Sequence, residues 1–448
     1  MAGSPALFVA LRSLTGRRRG AEARSAGAQR GGMIGAVFGI AVSLVPLILV
    51  LVVSDGMIQG ITRRYIETKT YHIQAALPAD FSATEINAGL DILRSIPGVS
   101  GAFFERSGMG LAVAGEKSHA INIRSISPEF FTDSRTRLYL NIDAGAGIPA
   151  GRGILVGSAL ASALGLKLGD PVTVVTAGTP AERGAGLAYA PKLSFFTVRG
   201  IVSAGYRDLD ALWVFIDPEK AGTILMPASS SACFGVKADD PYSNNLGLVS
   251  MEIAKTLASR FPDRVDSAFV RTWPELERSL FRSFGTTKSM LGFIMGLALL
   301  IAAVNLGSAL TTFVQEHSLD IAVMRSFGLS DGVLRRIFVG AGLATGIAGT
   351  ICGLVLGIAL SLEVNQLIAA IEWIVNAFSA AGTVLTGRPA VHLRLLDPGY
   401  YLEQIPAVVN YWQIFSIGIG SIALSTIASL IPANKAAGVP VQDLLRKT

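Results

Sequence analysis

The chain has 448 residues, of which 51% are hydrophobic and only 16% are charged. Because an ordinary soluble domain carries about 25% charged residues, this composition excludes an average soluble protein. The net charge of +6 is mostly local, since a run of arginines precedes the first apolar block: Arg12, Arg17, Arg18, Arg19, Arg24 and Arg30.

Four apolar blocks stand out along the chain, at residues 33–53, 290–314, 337–362 and 412–431. Each is long enough to span a membrane, since about 20 helical residues at about 1.5 Å each cross a hydrocarbon core of about 30 Å. A buried core helix rarely runs so long without a charge. Each block therefore predicts a transmembrane helix.

Basic residues beside the blocks predict their orientation, because Lys and Arg flanking a span are retained in the cytoplasm. The N-terminal arginines, Arg335 and Arg336 between the second and third blocks, and Lys435 near the end place these segments inside. The segment 54–286 is then outside. A nucleic-acid site is the other interpretation of the N-terminal arginines, but their position beside a span favours a role in topology.

The segment 54–286 predicts a mixed α/β domain. Runs of β-branched and aromatic residues predict strands at 72–77, 120–126, 153–157, 171–175, 195–202 and 211–216. Helical spacing of apolar residues predicts helices at 84–96, 158–165, 244–261 and 274–284. A helical pattern continues from the end of the first apolar block into this segment, and another runs from this segment into the second block. Two rigid helical stalks are therefore expected to join this domain to the membrane.

The sequence carries no signature of catalysis. A G-x-x-x-x-G-K-[ST] P-loop and an H-E-x-x-H zinc motif are absent from it. The run Gly328–Gly332 matches G-x-S-x-G, but it lies between two apolar blocks and not directly after a predicted strand, as a nucleophile elbow does. The cores of the spans hold serines but no ionisable residue, which disfavours an intramembrane protease and an ion path. An apolar pathway suits a lipid-like cargo better than ions or sugars. We therefore expect a chain that binds no cofactor or metal and is not itself an enzyme.

The connector 315–336 is unusually ordered for a link between two spans. Ile321, Met324 and Phe327 form an i, i+3, i+6 stripe, and Gly328 can end the helix. This pattern predicts a short amphipathic helix along the cytoplasmic surface. It leaves two partners open, the lipid surface or a groove in another protein.

A resemblance to a known family bears on this choice. The run E-x-x-x-D-I-A-V-M-R-S-F-G, from Glu316 to Gly328, resembles the connector between the second and third spans of MacB/FtsX-type ABC transporter permeases. Within that superfamily it is most similar to the lipoprotein-releasing LolC/LolE family. Further similar segments follow in the same order, at 6–19, 151–175, 195–217, 396–413 and 430–446.

The resemblance implies a permease that pairs with a separate P-loop ATPase subunit and with a second permease subunit, as a homodimer or a heterodimer. ATP and magnesium would then be bound in the partner ATPase and not by this chain. The connector would be the coupling helix, seated in a groove of the ATPase. The implied contact residues are Glu316, Asp320, Ile321, Met324, Arg325, Phe327 and Gly328.

The lipoprotein branch of the family also implies a cargo. Its members lift a lipoprotein out of the membrane lipid and hand it to a periplasmic lipoprotein chaperone. The hairpin that grips the chaperone falls near residues 178–193, and nucleic acid is not an expected partner. The candidate contacts are Thr179, Pro180, Arg183, Tyr189 and Pro191.

The predicted fold is an α-helical membrane protein with four transmembrane helices, one plus three, and a large extracytoplasmic mixed α/β domain between the first and second. We expect it in the bacterial inner membrane, with both termini cytoplasmic and the large domain periplasmic. In chain order the segments are an elbow helix 1–32, span 33–53, a MacB-like core domain 54–286, span 287–314, the coupling helix 315–336, span 337–362, a periplasmic loop 363–411, span 412–432 and a cytoplasmic tail 433–448.

Two other classes of function stay open. A mechanotransmitting MacB/FtsX-like permease would drive an efflux partner or control a cell-wall hydrolase without moving a lipoprotein. A membrane enzyme or receptor would have no ATPase partner at all. Within the lipoprotein branch, the sequence does not choose between a LolC-like role, a LolE-like role and a homodimer.

Overall fold

The computed structural model of the chain describes residues 23–78, 80–183, 186–226, 229–262, 264, 269–316, 330–386 and 406–438. The chain forms two compact units. The helical unit comprises Met1–Met57, Ser283–Val391 and Ile405–Thr448, and the sheet unit comprises Ile58–Arg282 and His392–Gln404.

The described helices, in chain order, are α1 (Ala23–Thr68), α2 (Ala83–Ser95), α3 (Glu129–Thr132), α4 (Ser134–Arg137), α5 (Ser158–Leu164), α6 (Arg207–Asp210), α7 (Pro218–Ile224), α8 (Leu246–Arg260), α9 (Trp273–Leu276), α10 (Arg278–Glu316), α11 (Asp331–Leu362), α12 (Val364–Thr386) and α13 (Tyr411–Gly438). The described strands are β1 (Ile73–Leu77), β2 (Val99–Ala114), β3 (Lys117–Ile126), β4 (Asn141–Gly145), β5 (Gly153–Gly157), β6 (Pro171–Arg183), β7 (Gly186–Ser203), β8 (Trp213–Phe215), β9 (Ser230–Ala238) and β10 (Val270–Thr272).

Four described helices are long and apolar enough to cross a membrane. They are Gly35–Thr68, Arg278–Thr312, Asp331–Leu362 and Tyr411–Asn434. Each contains one of the four apolar blocks of the sequence, so the prediction of four candidate spans is confirmed. Two of these helices extend well beyond their apolar block, because the charged residues at 63–69 and 277–282 do not interrupt the helical hydrogen bonding.

Helix α11 packs through glycines in the helical unit. A Cβ added at Gly346 would lie 2.7 Å from the Ser425 Cβ on α13, and one added at Gly353 would lie 2.8 Å from the Leu44 Cβ on α1. Thr350 and Ser421 join α11 to α13 by a hydrogen bond of 2.9 Å between their hydroxyls. Small residues therefore let α11 approach two neighbours closely, as they do in many membrane helix pairs.

The sheet unit is built on ten described strands in the order β10-β1-β9-β2-β3-β8-β5-β7-β4, with β6 pairing β2 and β7. Two apolar cores lie against this sheet. One collects side chains from β1, β9, α2 and α8 around Phe234 and Leu257. The other collects side chains from β3, β5, α5 and α7 around Ile123 and Val156.

The predicted strands and helices of the segment 54–286 are confirmed at β1, β3, β5, β6, β7, β8, α2, α5 and α8. Strands β4 and β10, which are short, and strands β2 and β9 are missing from the prediction. The last two, β2 and β9, are long. Both are rich in Gly and Ser, which are depleted or neutral in strands, and the pairing of β2 with β3, β6 and β9 overrides that preference.

The segment 363–411 is the one that the sequence predicts to form a periplasmic loop between two spans. Its first part is the helix Val364–Thr386. Four polar residues lie on one side of this helix (Asn365, Glu372, Asn376 and Ser379), and apolar residues recur at helical spacing on the other side.

Candidate functional site

The predicted coupling residues fall almost wholly outside the described residues. Glu316 is the last residue of α10, and Asp320, Ile321, Met324, Arg325, Phe327 and Gly328 lie in 317–329, which the structure does not describe. Ser330 is the N-cap of α11. The role of these seven residues in binding an ATPase stays a prediction.

The two helices that flank this connector are packed together at its ends. Val314 near the end of α10 forms one apolar cluster with Leu334 and Phe338 of α11 and Ala433 of α13. All four side chains are less than 8% exposed. A force applied to the connector would therefore act on α10, α11 and α13 together, and not on one helix alone.

The predicted chaperone contacts lie on one β-ribbon. Strands β6 and β7 pair from Pro171 opposite Thr197 out to Arg183 opposite Gly186. In this register Pro180 lies opposite Tyr189, and Pro191 is exposed. Thr179, Pro180, Arg183 and Tyr189 are placed by their backbone alone, and the structure brings all five candidate residues to the outer part of one hairpin.

An apolar surface adjoins this ribbon, and the sequence analysis missed it. Met109 and Leu111 of β2 and Leu193 and Phe195 of β7 are 65%, 46%, 58% and 67% exposed. Val175 of β6 pairs with both Leu111 and Leu193. Because residues directly opposite in antiparallel strands point to the same side, these side chains share one face of the sheet. The available signal in the sequence is that these strands carry apolar residues on both faces, and not apolar residues on one face and polar residues on the other.

The end of the first stalk is held in the sheet unit by a buried arginine. Arg124 of β3 donates from Nη1 to the carbonyl oxygen of Thr68, the last residue of α1, at 2.7 Å. Two further bonds of 2.7 Å join Arg124 to both carboxylate oxygens of Glu105, which also accepts from the Tyr71 hydroxyl at 2.6 Å. A cation at a helix C-terminus is stabilised by the helix dipole. The stalk thus ends on a fully paired, buried charge.

A second buried charge group ties the same helix end to β9. The Lys237 ammonium is 2.8 Å from Glu67 Oε2 and 2.8 Å from Asp133 Oδ2, and it donates to Thr136 Oγ1 at 2.7 Å. His72 Nδ1 accepts from the Ala238 amide at 2.8 Å, so its Nε2 proton faces Glu67 Oε1 at 3.1 Å. Burial alone would raise the pKa of Asp133, but the hydrogen bonds from Lys237 and Thr136 bring it below its ordinary value.

The second stalk is tied to the first inside the sheet unit. Lys69, directly after α1, forms an ion pair of 2.6 Å with Glu277, directly before α10. The Trp273 amide donates to the His72 carbonyl oxygen at 3.0 Å. Within the helical unit, Lys288 of α10 also pairs with Asp55 of α1. Both stalks therefore carry ion pairs that join one to the other.

The loop 203–210 closes on the first stalk. Its Ala204 carbonyl oxygen accepts from Arg64 Nε at 2.8 Å, and the rings of Tyr206 and Tyr65 meet edge to face at 5.8 Å. Asp210 is 3% exposed and accepts from the Ala204 amide at 2.7 Å and from the Ser203 hydroxyl at 3.0 Å. Burial raises the pKa of Asp210 to about 6, although these hydrogen bonds lower it. Asp210 thereby fixes the backbone that holds Arg64.

The sequence analysis also missed these joint residues. Arg124 and Lys237 are single charges at inward positions of apolar strands, AINIRSI and SSACFGVKA, and that pattern is the available signal. Among the residues that the structure describes, no group of three or more His, Cys, Asp or Glu side chains is placed to hold a metal ion. The end of α1 and the start of α10 therefore both lie beside paired charges in the sheet unit.

Comparison with known families agrees with this architecture. A family model described as MacB-like periplasmic core domain matches residues 33–251, and one described as FtsX-like permease C-terminal matches residues 292–441. The chain belongs to the MacB/FtsX-type permeases. The first match contains most of α1 and of the sheet unit, and the second contains most of the second candidate span, the connector and the last two candidate spans.

This permease is similar to curated transmembrane proteins of lipoprotein-releasing systems. It is 28% identical over 299 residues to LolC of Neisseria meningitidis, covering 67% of this chain and 66% of that protein. It is 25% identical over 415 residues to LolC of Xylella fastidiosa, covering 92% of each chain. LolE of Haemophilus influenzae is 26% identical over 295 residues, covering 65% of this chain and 64% of that protein.

Solved structures similar to the permease include two domains. The periplasmic region of MacB from Actinobacillus actinomycetemcomitans is 14% identical and covers 48% of this chain and 95% of that one, with a TM-score of 0.30. The extracellular domain of the transporter YknZ from Gram-positive bacteria is 13% identical and covers 44% of this chain and 98% of that one, with a TM-score of 0.29. Likenesses at these TM-scores add nothing to the family assignment.

Proposed function

We propose that this permease is a subunit of an ABC transporter that uses ATP hydrolysis in a partner subunit to release lipoproteins from the inner membrane to a periplasmic chaperone. The observation that carries the proposal is the similarity to a lipoprotein-releasing LolC over 92% of both chains. The exposed apolar face beside the β6–β7 ribbon supports it, because an exposed apolar patch marks a site that binds another protein or an apolar ligand.

The proposal includes an orientation. The sheet unit lies in the periplasm and both termini lie in the cytoplasm, in agreement with the arginines that precede the first span. The chain binds no cofactor. ATP and magnesium are held by a P-loop ATPase subunit, and a second permease subunit, identical or not, completes the transporter.

The proposed mechanism is mechanical coupling. The ATPase moves the connector 317–329, and the cluster of Val314, Leu334 and Phe338 passes this movement to α10 and α11. A helix transmits rotation that a flexible linker would absorb. The hydrogen bond from Arg124 to Thr68 and the ion pair of Lys69 with Glu277 then transmit the movement of the stalks to the sheet and its ribbon.

Reconstitution tests the proposal. The permease and its candidate ATPase are placed in proteoliposomes with a triacylated lipoprotein, and transfer to a soluble acceptor is measured with and without ATP. We expect ATP-dependent transfer that is lost on deletion of residues 178–193 while ATP hydrolysis continues. ATP hydrolysis without any transfer by the unmodified chain would instead fit a mechanotransmitting permease, and the proposal would be wrong.

The coupling residues need a separate test. Reversing charge with Glu316→Arg and Arg325→Glu should remove the ATPase from the purified complex, because the groove that seats the helix would face the wrong charges. Arg335→Glu, on the described part of α11, is the matched control. Normal ATPase binding and stimulation in the double variant would overturn this interpretation of the connector.

A further inference from the structure

Helix α12 (Val364–Thr386) is amphipathic and almost uncharged. One side carries Asn365, Glu372, Asn376 and Ser379, spaced by seven, four and three positions, while Gln366 lies between this side and the opposite one. The apolar residues Leu367, Ile371, Ile374 and Phe378 are spaced by four, three and four. At 3.6 residues per turn these two sets occupy opposite sides of the helix.

From Ile371 to Ser379 the exposure of the two sides is the reverse of that in a water-soluble helix, whereas at the start of α12 Asn365 is exposed and Leu367 is half-buried. Ile371, Ile374 and Phe378 are 42%, 45% and 77% exposed. Glu372, Asn376 and Ser379 are half-buried, and each takes part in a polar or electrostatic interaction within the chain. In water the apolar side would be the buried one. The exposed side of α12 is therefore suited to a non-aqueous environment.

The connection to α11 limits where α12 can go. Only Glu363 separates Leu362, the end of a candidate span, from Val364. Backbone hydrogen bonds continue through this point, from the Glu363 amide to the Ala359 carbonyl at 3.3 Å and from the Leu367 amide to the Glu363 carbonyl at 2.9 Å. Antiparallel helices need a link of about two to five residues. Helix α12 therefore does not fold back along α11 into the membrane.

We propose that α12 lies along the membrane surface at which α11 ends, with the side that carries Leu367, Ile371, Ile374 and Phe378 in the acyl-chain boundary of the lipid. Its ligand is the lipid surface. Trp373, 73% exposed on the flank between the polar and apolar sides, sits at the level of the head groups, where tryptophan is enriched. This inference needs no lipoprotein cargo and holds whether or not the proposed transport is correct.

The composition of α12 also sets its lipid preference. The helix has no Lys or Arg and one acidic residue, Glu372. Surface helices rich in Lys and Arg depend on anionic lipids, whereas this one can bind only through its apolar area. Its depth in the membrane is then independent of anionic lipid and of salt.

Spin-label accessibility in lipid nanodiscs tests the proposal on the full chain. Cys352→Ala and Cys233→Ala remove the exposed thiol and the half-buried thiol, so that the label is attached only at an introduced cysteine. A nitroxide is attached at Phe378→Cys, with Ile374→Cys as a second reporter of the apolar side and Asn376→Cys as the matched reporter of the polar side. Oxygen and a water-soluble nickel chelate serve as the relaxing agents.

At positions 378 and 374 we expect several-fold higher accessibility to oxygen than to nickel and a depth of about 5–10 Å below the head groups. The values should be the same in phosphatidylcholine and in mixtures with phosphatidylglycerol. The label at 376 should be poorly accessible to both agents. Dominant nickel accessibility at 378, protection from both agents, or a depth at the bilayer centre would overturn the proposal, because the apolar side would then face water, protein or a membrane-crossing path.

Discussion

At the scale of single residues, the permease concentrates buried charge where its first stalk enters the sheet. Arg124 and Lys237 are 1% exposed, yet both are fully paired with carboxylates. Burying a charge costs several kcal/mol unless it is paired and hydrogen-bonded. Such groups hold a helix end in one geometry, because any displacement leaves a charge without its partner.

Replacing Lys237 tests this joint. Lys237→Met leaves Glu67 and Asp133 buried without their ammonium partner, and loss of one partner from a buried pair costs about 3–5 kcal/mol. We expect a large fall in the thermal unfolding temperature of the full chain in detergent. The exposed Lys220→Met is the control and should change little. Equal melting of both variants would show that the Lys237 pairs contribute nothing.

Asp210 predicts a pH dependence of stability. Burial raises the pKa of its carboxyl to about 6, above the ordinary value of 3.8. The folded state thus binds the proton more tightly, and this contribution is full below about pH 4 and lost as the pH rises through about 6. Asp210→Asn should flatten the change in melting temperature across this window. The exposed Asp208→Asn should retain it, and a retained slope in Asp210→Asn would assign the titration to another group.

At the scale of elements, α11 is shaped by where its glycines lie. Gly342 and Gly346 face serines of α13, and Gly349, Gly353 and Gly357 face α1. Glycines spaced four apart are typical of closely packed membrane helices, but this spacing does not say which helices are the partners. That pairing depends on the folded arrangement of the helical unit.

Adding one methyl group to α11 separates packing from helix propensity. Gly353→Ala places a Cβ 2.8 Å from Leu44 Cβ and 3.1 Å from Ala41 Cα, so the helices must move apart. We expect destabilisation of about 1–3 kcal/mol, measured as a lower melting temperature in detergent. Gly340→Ala on the same helix meets nothing within 4 Å and should be neutral or slightly stabilising. The same shift in both variants would rule out the close contact with α1.

At the scale of the whole molecule, the proposed transport requires that movement of the stalks reach the sheet. Lys69 and Glu277 are 35% and 22% exposed, so their ion pair adds little to stability. Because this ion pair lies after one stalk and before the other, we expect it to couple the movements of the two stalks. That role would be visible in coupling and not in folding.

Reversing the pair tests coupling. In the reconstituted transporter, Lys69→Glu or Glu277→Lys alone should lower ATP-dependent lipoprotein release several-fold while ATP hydrolysis and the melting temperature stay near those of the unmodified chain. The double reversal restores opposite charges and should recover most of the release. Single variants that release normally would remove this pair from the mechanism.

The sequence by itself determined the four candidate spans, the helices and many strands of the sheet unit, and the resemblance to a permease family. Length, apolar content and periodicity are local properties, and they survive folding unchanged. Only the tertiary structure decided that Arg124 and Lys237 meet the first stalk, that Asp210 holds the backbone of Ala204, that Met109 and Phe195 share an exposed face, and that the segment after α11 begins as a helix. These features depend on strand pairing and helix contacts between residues far apart in the chain, such as Arg124 with Thr68 and Lys237 with Glu67. No local pattern encodes such pairings.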